Sequence, residues 1–220
     1  MEILKKYLPR DISLSIMELL IGDYISFTLD DIKALKSKII HWSSCLAYAI
    51  KIGDMKIFHY VEQHILDASS WKSCMQDAAD VNRLDLVKYC ESKAITLNKN
   101  KKLESKEWLF CVWHASARGY LNIVKYAWFM GAKCSAICMY EASWGGHLDV
   151  VKYAESVGAT NFGECIEVAS ENGHLNIVKR FWSKCNNMDL REICRYNSES
   201  HNYDEMLEYI ESHFYKHYLI

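Results

Sequence analysis

The sequence predicts an all-α chain built as an array of helix-turn-helix hairpins, and three observations predict it. An eight-residue motif recurs: Gly146-His147-Leu148-Asp149-Val150-Val151-Lys152-Tyr153 has close copies starting at Gly119 and Gly173, fainter ones at Gly53 and Asn82, and a degenerate one at Asn202. The starts lie 29, 37, 27, 27 and 29 residues apart, and self-similarity at a period of about 20–50 residues marks a stacked array. A fixed register precedes each start. Cysteine stands eight residues before it (Cys45, Cys74, Cys111, Cys138, Cys165, Cys194), and alanine four before it in five units (Ala49, Ala78, Ala115, Ala142, Ala169). Finally, apolar residues on both sides of each turn follow helical spacing.

Bulk composition narrows the function classes. Half of the 220 residues are hydrophobic, with one proline and no low-complexity run, which argues against disorder. A formal charge of −2 supplies no field for nucleic acid or anionic lipid. No apolar stretch approaches the roughly 20 residues that cross a bilayer, and the N-terminus lacks the pattern of a secretory signal. The chain is therefore expected to be cytoplasmic, with neither nucleic-acid nor membrane partners. Six cysteines in one register are expected to be packing residues: equivalent positions lie about one repeat apart, beyond the roughly 7 Å between Cα atoms that a disulfide needs. Reduced structural thiols are favoured over a redox-labile pair or metal ligands, and imply a reducing compartment.

Residues 1–40 precede the first unit. Ile12, Ile16, Leu19 and Leu20 recur at helical spacing after Pro9, which suits a helix start. Leu29, Ile32, Leu35, Ile39 and Ile40 do the same after Asp30, a candidate N-cap. These helices are expected to cover the open end of the array.

Residues 41–213 form the array. In each first helix the position after the cysteine is apolar in five units (Leu46, Met75, Val112, Met139, Ile166), and the small alanine lets a neighbouring helix approach. The glycine then turns the chain. Asp149, Asn122 and Asn176 are expected to cap the second helices, which carry a Val-Val or Ile-Val pair inward and a lysine outward. Gly131-Ala132 and Gly158-Ala159 close second helices with a left-handed glycine. Trp42, Trp71, Trp108 and Phe162, three residues before the cysteine, are expected to wedge between units. The long spacing inserts about ten residues between Thr96 and Lys106, read as a lysine-bearing loop, either solvated or a docking finger for an acidic partner. The last unit has Ser198, Arg195 and Asp204 at core positions, as a terminal cap should. Met206, Leu207, Tyr209, Ile210 and Phe214 continue at helical spacing, leaving residues 214–220 as the end of the capping helix.

The stretch Ala169-Ser170-Glu171-Asn172-Gly173-His174-Leu175-Asn176-Ile177-Val178-Lys179, the motif at Gly146 and the trailing Gly158-Ala159 resemble ankyrin repeats. More narrowly, they are similar to the shortened ankyrin-like repeats of large DNA viruses of amoebae and some protists. The resemblance covers residues 41–213 and departs from the family in two ways. The Thr-Pro-Leu-His opening is absent, with cysteine in the proline's place. The period is 27–29 in most units against about 33 for ankyrin, the loss falling between Gly158 and Cys165, where an ankyrin repeat builds its β-hairpin finger. The resemblance implies a helical solenoid of about six repeats with short loops for fingers, a partner that is another protein, and, for a viral chain, a place in the host cytoplasm.

No Cys-x-x-Cys pair, zinc-protease helix, phosphate loop or nucleophile elbow is present, so no catalytic, cofactor or metal site is expected. His213 and His217, or Cys134 and Cys138, are one turn apart, but two ligands fall short of the three or four that zinc takes. His147 and His174 at the turns are expected to donate locally to backbone. Positions six and two residues before each start should face solvent on the inner, concave side: Ala47, Gln76, Trp113, Tyr140, Glu167 and Tyr196, then Lys51, Asp80, Ala117, Trp144, Glu171 and Ser200. Trp113, Tyr140 and Trp144 cluster there, flanked by Glu141, Glu167 and Glu171. They are expected either to bind a basic and apolar partner segment or to stack on each other across the short loops. Leu8-Pro9 with Ile12, Ile16, Leu19 and Leu20 also faintly resembles an F-box opening, which would join residues 1–40 to a ubiquitin-ligase linker protein. A structural place in a larger assembly is the remaining alternative.

Overall fold

The computed structural model describes residues 28–34, 36, 42–185 and 187–214. The F-box-like segment, the helix expected after Pro9 and His217 lie outside them. The described residues hold thirteen α-helices, one short 3-10 helix and no strand. The chain divides into two compact units, with the boundary between Leu103 and Glu104.

In the first unit, α1 (Leu29–Ala34) packs on α3. Thr28 caps it, since Thr28 N–H donates to Asp31 and Asp31 N–H to the Thr28 hydroxyl, at 2.9 and 3.3 Å; Asp30 lies in the first turn and is not the cap. Two hairpins follow: α2 (Trp42–Ile52) with α3 (Met55–Glu62), and α4 (Ala68–Asp80) with α5 (Leu84–Leu97). First helices α2 and α4 pack on each other. Trp71, 1 % exposed, is the wedge expected there, its ring 6.5 Å from Phe58 of the preceding hairpin and 5.9 Å from Tyr89 of its own.

In the second unit four hairpins stand in sequence: α6 (Ser105–Ala117) with α7 (Leu121–Phe129), α8 (Ser135–Trp144) with α9 (Leu148–Ser156), α10 (Phe162–Glu171) with α11 (Leu175–Phe181), and α12 (Met188–Ser200) with α13 (Asp204–His213). First helices contact first helices along the series α6, α8, α10, α12, and second helices do so along α7, α9, α11. The aromatic wedges here pair inside their own hairpins, Trp108 with Tyr126 and Phe162 with Phe181.

All six turns are built alike. The motif's first residue is left-handed, with φ of 74° at Gly53, 59° at Asn82, 76° at Gly119, 77° at Gly146, 77° at Gly173 and 57° at Asn202. The next N–H reaches back to the carbonyl of the small residue, as from His147 to Ala142 at 2.8 Å and from Asp54 to Ala49 at 3.0 Å. This is a Schellman closure, which satisfies carbonyls that the helix end leaves orphaned. The five alanines, the six cysteines and the apolar residues after them are buried. Gly131 and Gly158 close α7 and α9 the same way, with φ of 111° and 102°.

One of the expectations about helix ends needs correction. Asn122, Asp149 and Asn176 do not cap the second helices, because each helix begins one residue earlier, at the leucine. Asp149 sits in the first turn, where a carboxylate suits the helix dipole, and the position with capping potential is the one after the glycine, where Asp54 accepts from Lys56 and Ile57 N–H. The insertion read as a lysine-bearing loop is mostly that: α5 runs to Leu97 and the next helix starts at Ser105, so Asn98–Glu104, with exposed Lys99, Lys101 and Lys102, connect them outside any helix. Helix α13 ends at His213, with Phe214 buried beyond it, and the rest of the expected capping-helix end, residues 215–220, lies outside the described residues.

Candidate functional site

The first helices of the second unit have two faces fixed by the register. Cysteine, its apolar neighbour, alanine and the following serine point inward, and three positions per helix point away from that core. Serine follows alanine at Ser116, Ser143 and Ser170, each fully buried. Each faces the cysteine of the next hairpin: Ser116 Oγ donates to Cys138 Sγ at 3.3 Å, whereas Ser143 and Ser170, beside Cys165 and Cys194, donate to the Met139 and Glu167 carbonyls, both at 2.7 Å. Burial pushes the Cys138 and Cys194 thiols up to about 11 and Cys165 to about 12. They stay protonated, and a thiol rather than a thiolate is a poor nucleophile. The Ala-Ser pair recurs in the sequence at all three places.

A second ladder ties the turns. His147 and His174 do not donate locally. Their Nε2 atoms reach across to the preceding hairpin, to the carbonyls of Ala117 at 3.0 Å and Trp144 at 2.9 Å. Tyr203 extends the series, its hydroxyl donating to the Glu171 carbonyl at 3.3 Å.

The outward face carries the expected aromatics. All twelve positions read as solvent-facing lie at least partly exposed, and Trp113, Tyr140 and Trp144 are 45 %, 38 % and 49 % exposed. One register was missed, nine residues before each start, which shares this face because it lies a helical turn from the sixth. It adds exposed Phe110, Ile137, Glu164 and Ile193. Ring contacts in the strip stay within α6: Phe110 lies 6.0 Å from Trp113, and His114 5.5 Å. Among the described residues no ring contact joins Trp113, Tyr140 and Trp144, so they do not stack on each other in place of fingers.

Carboxylates complete the site. Glu141 and Glu167 are half-buried and Glu171 and Glu164 exposed. Burial pushes the Glu141 carboxyl above its ordinary value, against a hydrogen bond from the Trp113 side chain and the nearby His114. The Tyr140 hydroxyl is raised by burial and then by the charges of Glu141, Glu171, Glu164 and Glu167, so four acids act on one point. Among the described residues none of the four is in an ion pair, whereas Glu62, Glu155, Glu192 and Glu199 all are. Between α8 and α10 lies an open recess of about 300 Å³, lined by Ala136, Ile137, Tyr140, Glu141, Asn161 and Glu164. Asn161 spans it, its amide donating to the Ala136 carbonyl and to Glu164, both at 3.2 Å.

Among the described residues no three His, Cys, Asp or Glu side chains converge as metal ligands, and no helix is long and apolar enough to cross a membrane. The arrangement offers apolar area, negative charge and a shallow recess. Neither a family model nor a curated protein matches the chain.

Proposed function

We propose that the chain is a non-catalytic protein-interaction module that binds another protein through the outward face of the first helices in its second unit. Its hairpins are taken as ankyrin-like repeats whose fingers are shortened to loops, two hairpins in the first unit and four in the second. The same left-handed turn at all six starts and the repeated contact of first helix with first helix support that assignment. The observation that carries the function is large aromatic side chains held exposed at positions that packing does not use, rimmed by unpaired carboxylates. Tryptophan and tyrosine dominate binding hot spots.

The test is quantitative affinity capture from cell lysate with the wild type and with Trp113→Ala/Trp144→Ala. Both side chains lie half outside the core, so helicity and melting should be unchanged. Bound proteins should fall by about tenfold or more, as for hot-spot truncations of roughly 2 kcal/mol. Equal capture by a folded variant would remove the site.

A further inference from the structure

We infer that the recess between α8 and α10 holds one arginine side chain of the partner, with that partner's neighbouring apolar residues lying on Phe110, Trp113 and Ile137. The inference rests on the interaction reading above and adds the chemistry of the occupant.

In the recess, apolar wall and acids without an ion pair meet. Ile137, Ala136 and the Tyr140 ring supply a wall for an aliphatic stem, and Glu141 and Glu164 stand on its rim. Long cationic side chains bury the stem and keep the head near polar groups. A volume of about 300 Å³ leaves room for one such side chain and not for a folded element. The sign of the charge chooses among occupants. Four carboxylates without a cation on one face repel nucleic acid and anionic lipid, and attract a basic segment. Arginine is favoured over lysine because its planar guanidinium lies flat on an aromatic ring and forks onto carboxylates, which a compact ammonium does not do. The half-buried Glu141 carboxylate, already taken partly out of water, would gain the counter-charge it lacks.

The experiment selects random dodecapeptides displayed on phage against the full chain, against Glu141→Gln/Glu164→Gln and against Trp113→Ala/Trp144→Ala. Circular dichroism and melting establish that each variant is folded. Peptides retained by the wild type should be enriched in arginine beside aromatic or aliphatic residues. The best peptide should lose about tenfold or more in affinity when its arginine becomes glutamine, and a similar factor on Glu141→Gln/Glu164→Gln. Combining the two changes should cost little beyond either alone. Peptides that need Trp113 and Trp144 but carry no arginine, prefer lysine or acidic residues, or bind Glu141→Gln/Glu164→Gln as tightly as wild type would overturn the inference and leave the interaction face standing. Selection of no peptide that depends on the two tryptophans would remove both.

Discussion

At Gly146 two separate demands fall on one residue. Its backbone has φ of +77°, and a Cβ there would lie 2.6 Å from the His174 ring of the next hairpin. Gly119 stands in the same relation to His147, at 2.5 Å, while Gly158, with φ of +102°, faces open space. Gly158→Ala should therefore cost only left-handed strain, about 1–2 kcal/mol. Gly146→Ala should cost more by the roughly 1–3 kcal/mol of overpacking, and that excess should shrink when His174→Ala is also present. Urea denaturation of the four variants measures it; equal costs at both glycines would count against the turn-to-turn ladder. The glycine and histidine were legible as a motif, but their partnership was not. The ring's acceptor lies thirty residues upstream, and only the stacking of hairpins brings it near. The exposed aromatics were legible because the inward register left them unused. Asn161 was not, since it precedes its helix and belongs to no repeated position.

Among the elements, α12 departs furthest from its siblings. The position filled by Trp71 or Trp108 elsewhere is Arg191, only 1 % exposed. Its guanidinium donates to the carbonyls of Phe214 at 3.0 Å, Cys185 at 3.3 Å and Trp182 at 3.4 Å, and lies 4.9 Å over the Trp182 ring. Among the described residues no carboxylate pairs with it. Backbone acceptors and an aromatic face hold a buried charge here, and they pin the 3-10 helix (Trp182–Lys184) and Phe214, just past α13, to α12. Arg191→Met keeps the volume and strands three carbonyls, so it should lower stability by about 3 kcal/mol in urea denaturation; an unchanged midpoint would show that the guanidinium is dispensable. Polar substitution in this unit was expected from the sequence at Arg195 and Ser198. Arg195 does pair on the surface with Glu192 and Glu199, whereas Ser198 is buried and donates to the Cys194 carbonyl at 2.8 Å. The buried arginine escaped because a charged residue read alone suggests solvent, although the register placed it at a wedge. Hairpin limits were legible to within a residue or two, since glycine and asparagine mark the turns. The insertion was legible as a lysine-bearing connection, but the length of α5 before it was not, because no glycine or proline marks where that helix stops.

For the molecule, the division at Leu103 and Glu104 sets what can fold alone. In the second unit every first helix except the two end ones is covered on both sides by another first helix. Stability in such an array is a sum of hairpins and nearest-neighbour contacts. Residues 104–220 expressed alone should therefore keep a helical circular-dichroism spectrum and one cooperative melting transition, and a gradual melt would show that the unit depends on what precedes it. The turn ladder has a last consequence for recognition. His174 grips the carbonyl of Trp144 from outside its own hairpin, so the tryptophan's backbone is moored before any visitor arrives. Association then forfeits little conformational freedom at that point, because folding has already surrendered it.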